Sequence, residues 1–188
     1  APMDNEQREP RTVTTSSKDR SGKLDVTSLV LVAILLAAGF VLNLTVGKAL
    51  AITGIQPEFI ISAYCLATII LIPTVPQALV IAVLAATVIQ VTTSIPGVEY
   101  LCDLPAILVM LAFARAVDRR GKASVLPFVG AFLTTTVSGL IFAVVGTFAM
   151  GADPATIALK LPIVFGTALA NAIVVQVLYL PLKKAAKR

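Results

Sequence analysis

Away from its polar ends and one basic loop, this chain carries few charged side chains. They are Lys48, Glu58, Glu99, Asp103, Asp153 and Lys160. Three of the acids cluster around "VTTSIPGVEYLCDLPA" (91–106) and "QPEF" (56–59), beside Tyr100 and among strongly apolar runs. Carboxylates accept hydrogen bonds from an ammonium or a ring N–H, and an aromatic side chain supplies a stacking face. Lys48 or Lys160 can meet a carboxylate on the same molecule. Together Glu58, Asp103, Tyr100, Lys48 and Lys160 suit a cationic or amphoteric solute with an apolar ring. Asn43 and Gln90 are candidates for a polar wall beside them.

Each of these residues also has a local account. Glu58 follows Pro57, and Asp103 precedes Leu104-Pro105. Acids near a helix N-terminus complement the macrodipole, and Pro suits a first turn. Lys160 either contacts the solute or snorkels its ammonium to the membrane interface. Asn43 and Gln90 either line a cavity or hydrogen-bond between helices. For Thr92, Thr93, Asn171 and Gln176 the structural role is the expected one.

Whole classes of function are excluded by missing residues. There is no G-x-x-x-x-G-K-[ST] phosphate loop, so ATP hydrolysis by this chain is not expected. G-x-S-x-G and H-E-x-x-H are missing too, as is a carboxylate set for two-metal catalysis, so the chain does not read as an enzyme. With no His and two Cys, no metal, haem or iron–sulfur ligand set exists and no cofactor is expected. Cys65 reads as a small buried hydrophobe. The net charge of +5 comes from residues flanking apolar spans and does not point to nucleic acid.

The elements that must position these residues are membrane helices. Of the 188 residues, 57% are hydrophobic and 13% charged, against about 45–50% and about 25% in soluble domains. A spanning helix needs about 20 residues. Six apolar runs are candidates: 26–46, 57–72, 77–95, 103–117, 124–150 and 155–181. Residues 1–25 have the composition of a disordered tail, with no apolar core of a cleavable signal. Residues 26–188 are expected to form one transmembrane domain in the lipid bilayer.

Charge sets the orientation. Basic clusters occur in the tail (Arg8, Arg11, Lys18, Arg20, Lys23), after the fourth run (Arg115, Arg119, Arg120, Lys122) and at the end (Lys183, Lys184, Lys187, Arg188). Cytoplasmic segments are enriched in Lys and Arg. Four runs separate the first two clusters and two separate the last pair, so all three lie on one side. The expectation is an all-α membrane protein of six transmembrane helices with both termini cytoplasmic. Connections 47–56, 96–102 and 151–154 then face outward.

In the first run, Ala33 and Ala37 at i and i+4 leave a smooth groove where another helix can approach closely. A six-helix chain of this size, with A-x-x-x-A in its first helix and no energising motif, resembles the substrate-binding S subunit of an energy-coupling factor (ECF) transporter. More narrowly, "GIQPEF" (54–59), "TTSIPG" (92–97) and "DLPA" (103–106) resemble the tryptophan-specific S subunits called TrpP. Two departures are Glu58, where an Asp is expected, and Leu104, where a basic residue is expected.

The resemblance implies capture of a small solute at the outer face, under the connection between helices one and two. It implies partners: a transmembrane coupling subunit, met through Ala33 and Ala37, and two ATPase subunits. It implies the cytoplasmic membrane of a prokaryote, and tryptophan or a related aromatic compound as cargo. An S subunit for a different vitamin is the near alternative. A self-sufficient secondary transporter is the distant one. That class would show inverted repeats and a midplane ionisable residue, neither of which is evident in runs two, three or six.

Overall fold

The computed structural model describes residues 24–53, 57–120 and 124–186, and all regular structure among them is helical. The tail at 1–23, residues 54–56 of the "GIQPEF" stretch, Lys122, Lys187 and Arg188 lie outside the described residues.

Helix α1, Val26–Ala51, is started by Asp25, whose carboxylate accepts the Ser28 N–H at 3.1 Å. It buries Val32, Leu35, Leu36 and Gly39, the i, i+3, i+4, i+7 stripe of a helix with one packed face. A wide π turn at Asn43–Gly47 interrupts it. Gly39 is required by the crossing with the next helix, because a Cβ there would lie 2.8 Å from the Phe59 carbonyl oxygen.

Helix α2, Phe59–Leu71, is buried from Phe59 through Ile69 and touches all five other helices. It is the axis of the bundle. Helices apolar on every side belong in a core, and at about 20 Å its 13 residues fall short of a bilayer core of about 30 Å. It stops at Ile72, which takes the left-handed conformation (φ 46°) ahead of Pro73. Helix α3, Val75–Ile89, follows directly, started by a capping box in which the Gln77 side chain accepts the Thr74 N–H at 2.9 Å. Ala78, Ala82, Ala85 and Ala86 give it a flat buried face.

Helices α4 (Val98–Arg120), α5 (Leu126–Ala149) and α6 (Thr156–Ala186) complete the bundle. They and α1 are long and apolar enough to cross a membrane, while α2 and α3 are shorter apolar helices. The most extensive packing joins α5 to α6 and α4 to α5.

The boundaries nearest the site differ from the sequence reading. The first helix runs on through the π turn to Ala51, so Lys48 lies on helix rather than in a 47–56 connection. The third run ends as helix at Ile89, so Gln90, Thr92 and Thr93 lie in the turn beyond it. There the Gln90 side-chain oxygen accepts the Gly97 N–H at 2.8 Å, and Gly97 reverses the chain at φ +88°, a conformation that favours glycine. Helix α4 then begins at Val98 rather than at 103, with Pro105 inside it. Proline was read as a first-turn signal. Here it lies two turns in, and the missing N–H leaves the Leu101 carbonyl without its usual donor.

Candidate functional site

The late part of α1, the start of α2, the end of α3, the start of α4, the late part of α5 and the start of α6 converge at one end of the bundle. That pattern requires consecutive helices to alternate in direction. Between them lies a cavity of about 350 Å³, within the range of about 300–1,000 Å³ usual for small-molecule pockets. Its walls are Ile61 of α2, Gly139 and Phe142 of α5, and Ile163 and Val164 of α6, with Glu58, Glu99 and Lys160 at the charged end. A second cavity of about 160 Å³ adjoins it, lined by Asn43, Lys48, Thr92 and Thr93 among others. Glu58, Glu99 and Phe142 line both.

Asn43 opens the π turn of α1, and its side-chain oxygen accepts the Phe59 N–H at 2.6 Å. A foreign side chain thus satisfies one of the donors that a helix start leaves unpaired. This changes the reading of Glu58. Glu58 occupies the cap position of α2 yet makes no capping hydrogen bond, so its carboxylate is left to face both cavities. At the start of α2 it still complements the macrodipole, so the local account and the cavity-lining one stand side by side.

Glu99 is the residue that sequence reasoning missed as a site candidate. Its side chain is 4% exposed and accepts the Thr93 hydroxyl at 2.9 Å. Starting α4 at Val98 puts Glu99 and Asp103 at i and i+4, on one inward face. The signal was present in the spacing but was hidden by placing the helix start at 103. Asp103, 2% exposed, does not line either cavity. It sits behind the larger one, accepting the Tyr64 and Ser138 hydroxyls at 3.2 Å each, and Ser138 belongs to the cavity wall. Glu58, Glu99 and Asp103 stand near enough for their charges to interact.

Lys160 lies at the cavity end of α6, and its ammonium donates to the Thr147 hydroxyl at 2.8 Å. Thr147 in turn donates to the Ala143 carbonyl, so the lysine is held against α5 by an anchored acceptor. Lys48 is exposed beside the smaller cavity.

Tyr100 and Gln90 are not brought into either cavity. Helical phase turns Tyr100 toward α3, where its O–H lies 2.9 Å from the Thr87 hydroxyl. Thr87 already donates to the Val83 carbonyl, which makes Tyr100 the donor, and it offers no stacking face to a solute. Gln90 spends its amide on Ala86 and Gly97. Ala33 and Ala37 are exposed on the outer face of α1, away from the site. At the opposite end of the bundle the Gln176 side chain accepts the Phe128 N–H at 3.0 Å and donates to the Ser124 carbonyl at 3.2 Å, closing the start of α5.

Carboxylates out of water are stable only when paired or hydrogen-bonded, so Glu58 and Glu99 make the charged end of the cavity receptive to a cationic donor. Among the described residues no group of three His, Cys, Asp or Glu side chains is arranged to hold a metal ion. No protein-family model, curated protein or solved structure matches this chain.

Proposed function

We propose that this chain is the membrane-embedded, solute-binding subunit of an ECF-type importer and that it captures an amphoteric aromatic compound, tryptophan or a close relative. The observation that carries the reading is the composition of one cavity. Two carboxylates, Glu58 and Glu99, and one anchored ammonium, Lys160, line the same slot, whose walls are otherwise mostly apolar (Ile61, Phe142, Ile163 and Val164) with the hydroxyls of Thr135, Ser138 and Thr167 among them. The acids bind the solute's ammonium, Lys160 binds its carboxylate, and the slot holds its ring. Asp103 acts from behind, through Ser138.

In this reading the chain crosses the cytoplasmic membrane of a prokaryote six times, with both termini inside and the cavity outside. Arg115, Arg119, Arg120, Lys183 and Lys184 stand at the ends of α4 and α6, opposite the cavity, in keeping with the bias of cytoplasmic segments. The coupling subunit docks on the outer face of α1 at Ala33 and Ala37, and two ATPase subunits supply the energy. The resemblance of "GIQPEF", "TTSIPG" and "DLPA" to TrpP sequences supports this assignment and the choice of cargo.

A second reading is a self-sufficient secondary transporter. It is favoured by Glu99 and Asp103, two acids buried inside a helix long enough to cross the bilayer, since such residues mark ion pathways.

The chain contains no Trp, so the fluorescence of the ligand reports directly on binding. Titration of the detergent-solubilised protein with L-tryptophan, with kynurenine, tyrosine, thiamine and riboflavin as competitors, is expected to show saturable one-to-one binding of tryptophan. Glu99→Gln and Glu58→Gln are expected to weaken it about tenfold or more, the scale of losing one partner of a buried charge pair. Binding of a competitor in its place would move the cargo and keep the class. No binding by folded protein would remove the proposal.

A further inference from the structure

The smaller cavity holds about 160 Å³. A single water needs only about 10–15 Å³, so a group of several atoms fits. Glu58, Glu99 and Phe142 line this cavity as well as the larger one, which makes the two neighbouring compartments with a shared acidic border. Their characters differ. Ile61, Ile163 and Val164 wall the larger, whereas Asn43, Lys48, Thr92, Thr93 and Ser94 line the smaller.

The donors of the smaller cavity are only partly spent. Thr93 donates to Glu99 at 2.9 Å and Thr92 to the Ile89 carbonyl at 3.3 Å. Asn43 commits its side-chain oxygen to the Phe59 N–H, which leaves its amide N–H groups over. Among the described residues, neither those N–H groups nor the Ser94 hydroxyl nor the Lys48 ammonium has an acceptor, and Lys48 forms no ion pair. A carbonyl oxygen complements such a set of donors.

In the binding mode proposed above, the solute's ammonium meets Glu58 and Glu99, its carboxylate meets Lys160 and its ring fills the slot. The ammonium nitrogen is then the part of the solute that borders the smaller cavity. Resting on that reading, we infer that the smaller cavity is a subsite for an aminoacyl group carried on this nitrogen. The substrate class extends accordingly, from an aromatic amino acid to a short peptide that ends in one. An added glycyl unit moves the free ammonium by one residue, about 3.8 Å. It stays beside Glu58 and Glu99, because those acids border both cavities. The new peptide carbonyl accepts from Asn43, Ser94 or Lys48, and the carboxylate and ring keep their places. An extension on the carboxylate instead removes the charge that Lys160 reads.

The test compares three probes on the wild-type protein: L-tryptophan, glycyl-L-tryptophan and L-tryptophylglycine, each followed by its own indole fluorescence. Glycyl-tryptophan is expected to bind within about threefold of tryptophan or tighter, and tryptophylglycine about tenfold or more weaker. Ser94→Leu and, separately, Thr92→Leu fill the smaller cavity from exposed positions in the turn, and neither residue lines the larger one. Each variant is expected to weaken glycyl-tryptophan about tenfold or more, while tryptophan changes by less than about threefold. Having both variants keeps the comparison if one fails to fold. A wild type that binds glycyl-tryptophan about tenfold more weakly than tryptophan would make the smaller cavity a water-filled mouth. That result would overturn the inference while leaving the proposed function standing. Equal changes for the two ligands in the folded variants would also overturn it. Failure of all three probes to bind would overturn both.

Discussion

Asn43 of α1 accepts the backbone N–H of Phe59 at 2.6 Å, so the bent end of one helix caps the start of the next. The π turn and the cap form one device, because Asn43 is the first residue of that turn. Side-chain caps of this type contribute about 1 kcal/mol, up to about 2. Asn43→Ala is expected to lower stability by that amount, a fall of about 2–8 °C in Tm for a chain of this size. Asn43→Asp keeps the acceptor and is expected to recover most of it. Thermal unfolding in detergent, followed by circular dichroism, checks both. Equal loss in the two variants would mean that the cap is not what holds the α1–α2 junction.

Gly139 sets the width of the slot. A Cβ at this position would lie 2.9 Å from a methyl of Val164, and both residues line the larger cavity. The clash falls on a side-chain methyl rather than on backbone, so the neighbouring residue can yield into the cavity. Gly139→Val is therefore expected to reduce tryptophan affinity by more than tenfold, with Tm falling only a few degrees, as overpacking typically costs about 1–3 kcal/mol. Gly39→Ala is the contrasting case. Its Cβ meets the Phe59 carbonyl, which cannot move without shifting α2, so stability rather than affinity is expected to suffer first.

Asp103 supports the wall from behind. Its carboxylate satisfies two hydroxyls, those of Tyr64 and Ser138, that are otherwise buried. Asp103→Leu strands both and is expected to destabilise the fold by about 2–6 kcal/mol, from about 1–3 for each unsatisfied group. Asp103→Asn retains an acceptor oxygen and is expected to fold with a much smaller loss. Its effect on solute affinity is expected to be smaller than that of Glu99→Gln, since Glu99 faces the cavity and Asp103 does not. Comparison of the two variants in the same titration decides this, and a larger effect from Asp103→Asn would place that acid in direct contact with the solute.

The order of the helices was legible in the sequence because it depends on local composition. Six apolar runs correspond to six helices, and Thr74, Pro76 and Gln77, which the reading of the third run as 77–95 passed over, carry the local start signal of α3. Side-chain direction near the 90–97 turn was not legible, because it depends on where α4 begins. Moving that start from 103 to Val98 rotates Glu99 inward, carries Tyr100 round to Thr87, and puts Asp103 behind Ser138. What fixes the start is a contact across seven residues, from the Gln90 side chain to the Gly97 N–H. The role of Glu58 depended on a contact across sixteen, the Asn43 cap on Phe59. The charged residues of the cavity were therefore visible as types and positions, while which of them face the cavity and which are tied into the scaffold follows from hydrogen bonds that no local pattern announces.

Lys160 and the two cavity acids are expected to read opposite ends of the solute's head. Anchored on Thr147, Lys160 presents its charge without reorganisation, which favours a carboxylate. Lys160→Met is expected to weaken tryptophan about tenfold or more and to leave tryptamine, which lacks the carboxylate, within about twofold of its wild-type affinity. Glu99→Gln is expected to weaken both. Equilibrium titration of the two ligands against the two variants supplies the four numbers. Parallel losses of both ligands in Lys160→Met would assign the lysine to the scaffold and leave Lys48, beside the smaller cavity, as the partner of the carboxylate.

Energy coupling separates the two transport readings. The chain has no G-x-x-x-x-G-K-[ST] phosphate loop, and Ala33 and Ala37 leave a close-approach surface on the outer face of α1. Reconstituted alone in liposomes under an imposed proton or sodium gradient, the protein is expected to bind tryptophan without accumulating it. Ala33→Leu and Ala37→Leu are expected to leave that binding unchanged and to abolish uptake in cells that supply the coupling and ATPase subunits. Accumulation by the chain alone, abolished by Glu99→Gln, would transfer the buried acids of α4 from solute capture to ion coupling and make the protein a secondary transporter.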